Sequence, residues 1–175
     1  AGAVLTNDDM LAEKVRMYAN HGALIKHQHQ MEGINSRLDG LHAAILSVKL
    51  PHIHKWNELR LQKALYLTEK LKGISQIQTP KIRNGSTHIF HLYVAKAQQR
   101  DNLQKYLKEN GIETAIHYPT PLPMLPCYKY LNYSESDFPV TVANQKEIIS
   151  LPLFPEITNE QMDYTAEIIS SFYKK

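Results

Sequence analysis

The loop and helix of residues 33–50 are the part of the sequence whose residue types and spacing best suit chemistry. Asn35 and Ser36 carry short side-chain oxygens that can accept hydrogen bonds from the free N–H groups at a helix start. Ser36 and Asp39 have the spacing of a capping box, and the carboxylate of Asp39 would interact favourably with the positive end of the helix dipole. The sequence therefore predicts a helix from Leu38 whose N-terminus could bind an anion such as phosphate, although caps without a ligand would give the same pattern.

Polar residues at a predicted strand end form a second candidate site. His117 and Tyr118 follow a predicted strand and precede a proline-rich loop, where side chains often meet a ligand but can also bond locally. His27 and His29 lie in a polar loop without acidic or cysteine ligands at a recognisable spacing, so no metal site is predicted. The sequence has no nucleophile elbow, P-loop or zinc-protease motif, so the residues alone indicate no complete catalytic constellation.

Helices and strands are mixed rather than strictly alternating, which predicts an α+β fold. Apolar residues at three- and four-residue spacing, with caps and glycines at the ends, predict helices over residues 8–19, 38–71 with a kink at Pro51, 99–110, 138–149 and after Thr158. Runs of β-branched and aromatic residues predict strands over residues 1–6, 74–78, 87–95 and 112–118. Prolines predict an extended, non-helical path for residues 119–133.

Composition and charge argue against several classes of function. The chain has 175 residues, of which 43% are hydrophobic, so it can bury a core. The net charge is +3, and the 20 basic and 17 acidic side chains are scattered, which argues against a nucleic-acid partner. The one cysteine, Cys127, excludes a disulfide framework within the chain and favours a reducing compartment, so we expect a cytoplasmic protein. The sequence contains no apolar run of about 18 residues, so no membrane span is predicted.

Several stretches resemble, in the same order, the DegT/DnrJ/EryC1/StrS family of pyridoxal-phosphate (PLP) sugar aminotransferases. The run N-x-R-L-D-x-L-x-A-A-I-L at residues 35–46 is similar to the signature of that family. The other matching stretches are AGAVLTND at residues 1–8, NHG at 20–22, HYPTPLPMLPCY at 117–128 and SLPLFPEIT at 150–158. The third of these departs from the family at Pro123, where many relatives carry His, so a role of that His does not carry over to this chain.

The resemblance implies the fold and its division into domains. The chain would be the C-terminal part of an aspartate aminotransferase-like, fold type I transferase. Residues 1–50 would belong to the large PLP-binding domain, and residues 51–175 would form the connecting helix and a small domain with an antiparallel sheet and helices. In the family, the stretch similar to residues 1–8 shortly follows the lysine that holds PLP. We therefore expect that lysine just upstream of Ala1, and we expect this chain alone to be inactive.

The resemblance also implies which residues reach the cofactor and the substrate. Asn35 would donate its side-chain amide to the phosphate of the PLP held in the partner subunit of a homodimer with shared active sites. Lys26 would lie near the sugar nucleotide, also across the dimer interface. His117, Tyr118 and Tyr128 would line the substrate side. None of the chain's lysines lies in the sequence context of the family's PLP-binding lysine.

The expected activity is transfer of an amino group, with glutamate as the expected donor, to a keto-sugar nucleotide. Such a reaction supplies amino sugars to surface polysaccharide, lipopolysaccharide or glycosylated natural products. Three alternatives remain open at this point. The first is a sugar dehydratase of the same family, in which His replaces the PLP-binding lysine. The others are a non-catalytic binding or interaction module, and a non-functional remnant or expression fragment.

Overall fold

The computed structural model describes residues 2–174, which form two compact units divided after Ile53. We call residues 2–53 the N-terminal unit and residues 54–174 the C-terminal unit. The boundary expected between residues 50 and 51 lies just before this division. In the described part of the chain, none of the helices combines the length and the apolar character needed to cross a bilayer.

The described residues fold into α-helices, short 3-10 helices and one small antiparallel sheet. The α-helices are α1 (Asp9–Ala19), α2 (Gly40–Lys49), α3 (Ile53–Leu71), α4 (Arg100–Glu109), α5 (Pro139–Glu147) and α6 (Asn159–Tyr173). The strands are β1 (Ile77–Gln78), β2 (Tyr93–Ala97) and β3 (Ile148–Leu151), in the order β1-β2-β3. The 3-10 helices are Leu50–His52, Leu122–Met124, Pro126–Leu131 and Glu135–Asp137. This architecture confirms the predicted α+β fold with an antiparallel sheet.

The hydrophobic core lies in the C-terminal unit, between the sheet and the helices α3, α4 and α6. Buried and partly exposed residues alternate along β2, as the two-residue period of a strand requires. Tyr93 pairs with Leu151 and Ala95 pairs with Ile149, so buried side chains of neighbouring strands share one face. The helices cover this face with fully buried side chains: Ala64, Leu67 and Leu71 from α3, Leu103 and Leu107 from α4, and Met162 and Ile169 from α6.

The helices of the N-terminal unit bury very little. In α1 the buried residue is Met17, and α2 buries none of its residues against any other part of the described chain. The apolar stripe predicted for α2 is present, but Leu41, Ile45 and Val48 are 72%, 48% and 71% exposed. Packing within residues 2–174 therefore does not account for the stability of this helix.

The start of α2 differs from the prediction. The N-cap is Asp39, whose Oδ1 accepts a hydrogen bond from the backbone N–H of His42 at 2.9 Å. This bond and the contact of the Asp39 carboxylate with the His42 ring lower the pKa of Asp39. Leu38 has φ 61°, a left-handed conformation that cannot continue a helix. The predicted start at Leu38 and the predicted Ser36–Asp39 capping box are therefore wrong.

Several strand predictions are also corrected. The main strand begins at Tyr93 rather than at residue 87, because Phe90 has φ 47° and interrupts the extended path. Residues 112–118 do not form a strand, since they meet β3 through a single bridge between Ala115 and Ser150. Residues 2–6 have no regular structure, and Ala1 lies outside the described residues.

The segments beside the prolines and the end of α5 need correction as well. The predicted helix over residues 138–149 ends at Glu147, and the missed strand β3 follows at once. Residues 119–133 contain the 3-10 helices Leu122–Met124 and Pro126–Leu131, each with a proline in its first turn, where the missing N–H costs no hydrogen bond.

Predictions that rest on local caps and breakers are confirmed. Thr158 and Gln161 form the predicted capping box of α6. Gly22, Gly73 and Gly111 adopt positive φ after helix ends. At Pro51, where the sequence predicts a kink, the 3-10 helix Leu50–His52 lies between α2 and α3 in the chain.

We expect Leu67→Ala to lower the free energy of unfolding of the C-terminal unit by about 2–5 kcal/mol, because the side chain is fully buried in the core. Leu65→Ala, on the same helix but at a side chain that is 50% exposed, is the matched control and should cost less than about 1 kcal/mol. Denaturant unfolding of both variants measures the difference. Equal losses of stability would contradict the assignment of this core.

Candidate functional site

A loop of residues 20–36 is tied to the C-terminal end of α1. Backbone hydrogen bonds run from His21 N–H to the Ile34 carbonyl at 3.0 Å, from Ile34 N–H to the Tyr18 carbonyl at 2.7 Å, and from Ser36 N–H to the Ala19 carbonyl at 2.9 Å. The two ends of the loop also pair through a bridge between Asn20 and Asn35. These bonds fix the base of the loop, while residues 24–30 are exposed.

Two glycines make this close approach possible. A Cβ atom on Gly33 would lie 2.3 Å from the backbone nitrogen of Gly22 and 2.6 Å from the Tyr18 carbonyl oxygen. A Cβ atom on Gly22, which has φ 79°, would lie 1.6 Å from the Met31 carbonyl oxygen. We call this pair the glycine clasp. No other residue type fits at either position without movement of the backbone.

Asn35 belongs to a side-chain network at the base of the loop. Its Oδ1 accepts a hydrogen bond from Nε of Arg37 at 3.1 Å. Nη1 of Arg37 donates to Oδ1 of Asn20 at 3.0 Å, and Nδ2 of Asn20 donates to the Ala23 carbonyl at 2.7 Å. Because Arg37 has only donors, it must meet the oxygen of the Asn35 amide. The Nδ2 group of Asn35 is therefore the end that remains for a ligand.

Lys26 lies in the exposed part of the same loop, near a turn in which Gln28 N–H donates to the Ile25 carbonyl. It forms no ion pair with any residue of the described range. The ring of His29 bonds locally, with Nδ1 2.8 Å from the His21 carbonyl oxygen. Residues 2–174 hold no group of three His, Cys, Asp or Glu side chains suited to a metal ion.

His117 lies between two cavities of the C-terminal unit. One cavity, of about 290 Å³, is lined by His117, by Ser150 and by residues 91–92, 113–115 and 151–153. The other, of about 480 Å³, is lined by His117, Tyr118 and residues that include Pro123. The ring is held by Ser150, whose Oγ lies 2.8 Å from Nδ1 of His117.

The two tyrosines have different surroundings. Tyr118 is 68% exposed and lines the larger cavity, with its ring edge-on to that of His117 at a centroid distance of 5.5 Å. Tyr128 is 39% exposed, lies in the 3-10 helix Pro126–Leu131 and lines neither of these cavities. The structure thus brings His117 and Tyr118 together but does not bring Tyr128 into the same cavity.

Comparison with known proteins identifies the family. The model of the DegT/DnrJ/EryC1/StrS aminotransferase family matches residues 1–170. The chain belongs to this family. It is 45% identical over 175 residues to a "pleiotropic regulatory protein" of Geobacillus stearothermophilus, a match that covers 99% of this chain and 47% of that relative.

Further relatives of this DegT/DnrJ/EryC1/StrS family protein include enzymes. It is 36% identical over 174 residues to a dTDP-3-amino-3,6-dideoxy-alpha-D-galactopyranose transaminase of Aneurinibacillus thermoaerophilus. This match covers 98% of this chain and 46% of the relative. The crystal structure of S. venezuelae DesV in complex with a ketimine intermediate matches with a TM-score of 0.92 and 30% identity, over 98% of this chain and 46% of that one. The chain spans about half the length of the relatives it matches.

The DegT/DnrJ/EryC1/StrS signature and the NHG stretch meet in one network. Arg37 of the N-x-R-L-D run bonds to Asn35 of the same run and to Asn20 of NHG. Neither Arg37 nor Ser150 was predicted from the sequence as part of a site. The signal that could have found them is their place inside the matched runs, at residues 35–46 and 150–158.

We expect Gly33→Ala to open the base of the loop, because the new Cβ would force two backbone segments apart at a cost of about 1–3 kcal/mol. The amide protons of Ile34 and Ser36 should then exchange with solvent about tenfold faster or more. Amide hydrogen exchange of the two proteins measures this.

Gly40→Ala is the matched control, since a Cβ at Gly40 meets no atom within 4 Å and Gly40 lies at the start of α2. It should leave the exchange of the Ile34 and Ser36 amides unchanged and favour the helix by up to about 1 kcal/mol. Wild-type exchange rates in Gly33→Ala would show that the glycine clasp does not hold the loop.

Proposed function

We propose that this chain forms part of the active site of a PLP-dependent aminotransferase. The reaction transfers an amino group from an amino acid, expected to be glutamate, to a keto-sugar nucleotide. The observation that carries the proposal is the network of Asn20, Arg37 and Asn35, which lies in two stretches of the family resemblance and leaves an amide donor at the loop surface. The name of the Aneurinibacillus relative, a dTDP-sugar transaminase, supports the substrate class.

The residues at the base of the loop fit the phosphate of PLP. The Nδ2 group of Asn35 is a hydrogen-bond donor, and phosphate oxygens are acceptors. The guanidinium of Arg37 lies beside this amide and adds positive charge, which favours a doubly charged anion. We infer that Asn35 holds the PLP phosphate. PLP, when bound, supplies the electron sink that amino transfer needs.

We propose separate substrate contacts for Lys26 and for the pair His117 and Tyr118. Lys26 has a free ammonium group on an exposed loop, suited to the diphosphate of a sugar nucleotide. His117 and Tyr118 line a cavity of about 480 Å³, within the range of about 300–1,000 Å³ that is common for ligand pockets. We propose that they contact the sugar, and that the half-exposed phenol of Tyr128 contributes from a neighbouring surface.

The covalent step would depend on a residue outside this sequence. No lysine of the chain lies in the sequence context of the family's PLP-binding lysine, and the chain spans about half the length of its relatives. We therefore propose that residues 1–175 alone do not catalyse transamination. Their part in the reaction is to bind and orient the cofactor phosphate and the sugar nucleotide.

We further propose that the protein is a cytoplasmic homodimer with shared active sites. The support is the exposed apolar surface of α2 and of the residue after it, where Leu41, Val48 and Leu50 are about 70% exposed. Apolar surface of this kind marks sites that another surface covers. The amino-sugar product would serve surface polysaccharide or lipopolysaccharide biosynthesis.

The role of Asn35 can be tested by PLP affinity in the full-length gene product. We expect Asn35→Ala to raise the dissociation constant of PLP by about tenfold, the loss of one hydrogen bond to a charged group. Asn84→Ala, which removes an exposed asparagine from a turn of the C-terminal unit, is the control and should leave PLP affinity unchanged. PLP affinity that does not respond to Asn35→Ala would overturn the assignment.

The coding DNA immediately upstream of Ala1 tests the reaction class. We expect it to continue in frame and to encode a lysine a short distance before Ala1, and the full-length protein to transfer the amino group of glutamate to a keto-sugar nucleotide. If the DNA encodes a histidine at that position, the expected reaction is dehydration rather than amino transfer. A stop codon there, or turnover by residues 1–175 alone, would contradict the proposal.

A further inference from the structure

We propose that Ser150 is a positioning residue that holds the ring of His117 through Nδ1. The Nε2–H group of His117 is then directed away from β3 and donates a hydrogen bond to an oxygen atom of the sugar nucleotide. The proposal rests on the function proposed above for the substrate. It assigns a specific atom and a specific tautomer to a side chain that the sequence identified only as a candidate.

The backbone brings the two side chains together. The N–H of Ser150 donates to the Ala115 carbonyl at 2.7 Å, and the N–H of Ala115 donates to the Ser150 carbonyl at 3.2 Å. These two bonds make Ala115 and Ser150 directly opposite residues of an antiparallel bridge. His117 is two residues beyond Ala115, and its side chain reaches Ser150 beside this bridge. Nδ1 of His117 lies 2.8 Å from Ser150 Oγ.

We infer the direction of the hydrogen bond from the burial of Ser150. Ser150 is 6% exposed, and Nδ1 of His117 is the partner that the described residues offer to its hydroxyl group. A buried hydroxyl group needs an acceptor for its proton, and the lone pair of a neutral imidazole nitrogen can accept it. Nδ1 therefore accepts, which places the ring proton of neutral His117 on Nε2.

The other ring nitrogen is left for a ligand. Among residues 2–174, the polar contact of His117 is the one through Nδ1, and Nε2 lies on the opposite side of the ring. The ring lines both the cavity of about 290 Å³ and the cavity of about 480 Å³. An Nε2–H donor at this place suits the hydroxyl, carbonyl and phosphate oxygens of a sugar nucleotide, all of which accept hydrogen bonds.

The test uses the full-length protein with ¹⁵N-labelled histidine. Long-range ¹H–¹⁵N spectra distinguish the two neutral tautomers, and loss of a signal in His117→Gln assigns the residue. We expect the Nε2–H tautomer in the wild type and a mixture of tautomers in Ser150→Ala. Ser150→Thr, which keeps the hydroxyl group, should restore the wild-type signal. The Nδ1–H tautomer in the wild type would overturn the proposal.

Kinetics provide a second measurement. Ser150→Ala should raise the KM for the sugar nucleotide about five- to tenfold while the KM for the amino donor and the affinity for PLP stay unchanged. In a His117→Gln background, Ser150→Ala should add no further effect, because Ser150 acts through His117. Equal effects of Ser150→Ala in both backgrounds would show a merely structural role.

A matched control separates the positioning of His117 from a general loss of protein stability. Thr165→Val removes another buried hydroxyl group of the C-terminal unit, one that donates to the Gln161 carbonyl at 2.8 Å inside α6. It should change neither the His117 spectrum nor the KM for the sugar nucleotide. A wild-type protein that neither binds PLP nor transfers an amino group would refute the proposed function, whereas the tautomer of His117 tests the positioning by Ser150 in either case.

Discussion

The pairing of β2 with β3 determines where the other elements of the C-terminal unit can pack. Four residue pairs, from Tyr93 with Leu151 to Lys96 with Ile148, fix the register of two short strands. A shift of one residue would turn Tyr93 and Ile149 away from the helices and expose them. The same register fixes Ser150, which turns from the main core towards the segment that carries His117. The core and the candidate substrate site thus depend on one set of backbone hydrogen bonds.

The N-terminal unit is organised by polar contacts instead. Its loop is held by backbone hydrogen bonds at the end of α1 and by the guanidinium of Arg37, which links Asn20 to Asn35. Exposed contacts of this kind contribute little to the free energy of folding when taken singly. Their value lies in orientation, because a planar guanidinium group with fixed donors defines which end of an amide is presented. A weakly buried unit can therefore still present one well-defined donor.

Local signals were predicted well from the sequence, and contacts between distant residues were not. The capping box of α6 involves residues three apart, and the helix ends at Gly73 and Gly111 depend on single glycines, so each is readable from a short stretch. Strand β3 was missed because its four residues, three of them apolar, form a strand only through pairing with β2, more than 50 residues earlier in the sequence. The helix start at Leu38 was wrong because a left-handed residue and the cap at Asp39 outweigh an apolar period that begins earlier.

The candidate site shows the same limit. The roles of Asn35, Lys26, His117, Tyr118 and Tyr128 came from resemblance to a family, since residue types alone favoured a simple cap and local bonding. Arg37 and Ser150 act through partners that are 17 and 33 residues away in the sequence. No spacing rule connects residues at such distances. Only the fold shows that an arginine orients an amide and that a serine orients an imidazole.

The glycine clasp separates the part of the loop that must stay constant from the part that is free to vary. Between Gly22 and Gly33 the chain leaves the base of the loop, and residues 24–30 are exposed to solvent. Substitutions or insertions at this tip, where Lys26 lies, would leave the bonds at the base intact. If Asn35 holds the cofactor and Lys26 contacts the substrate, as proposed, mutations of the tip can change the substrate preference without disturbing the bonds that orient Asn35.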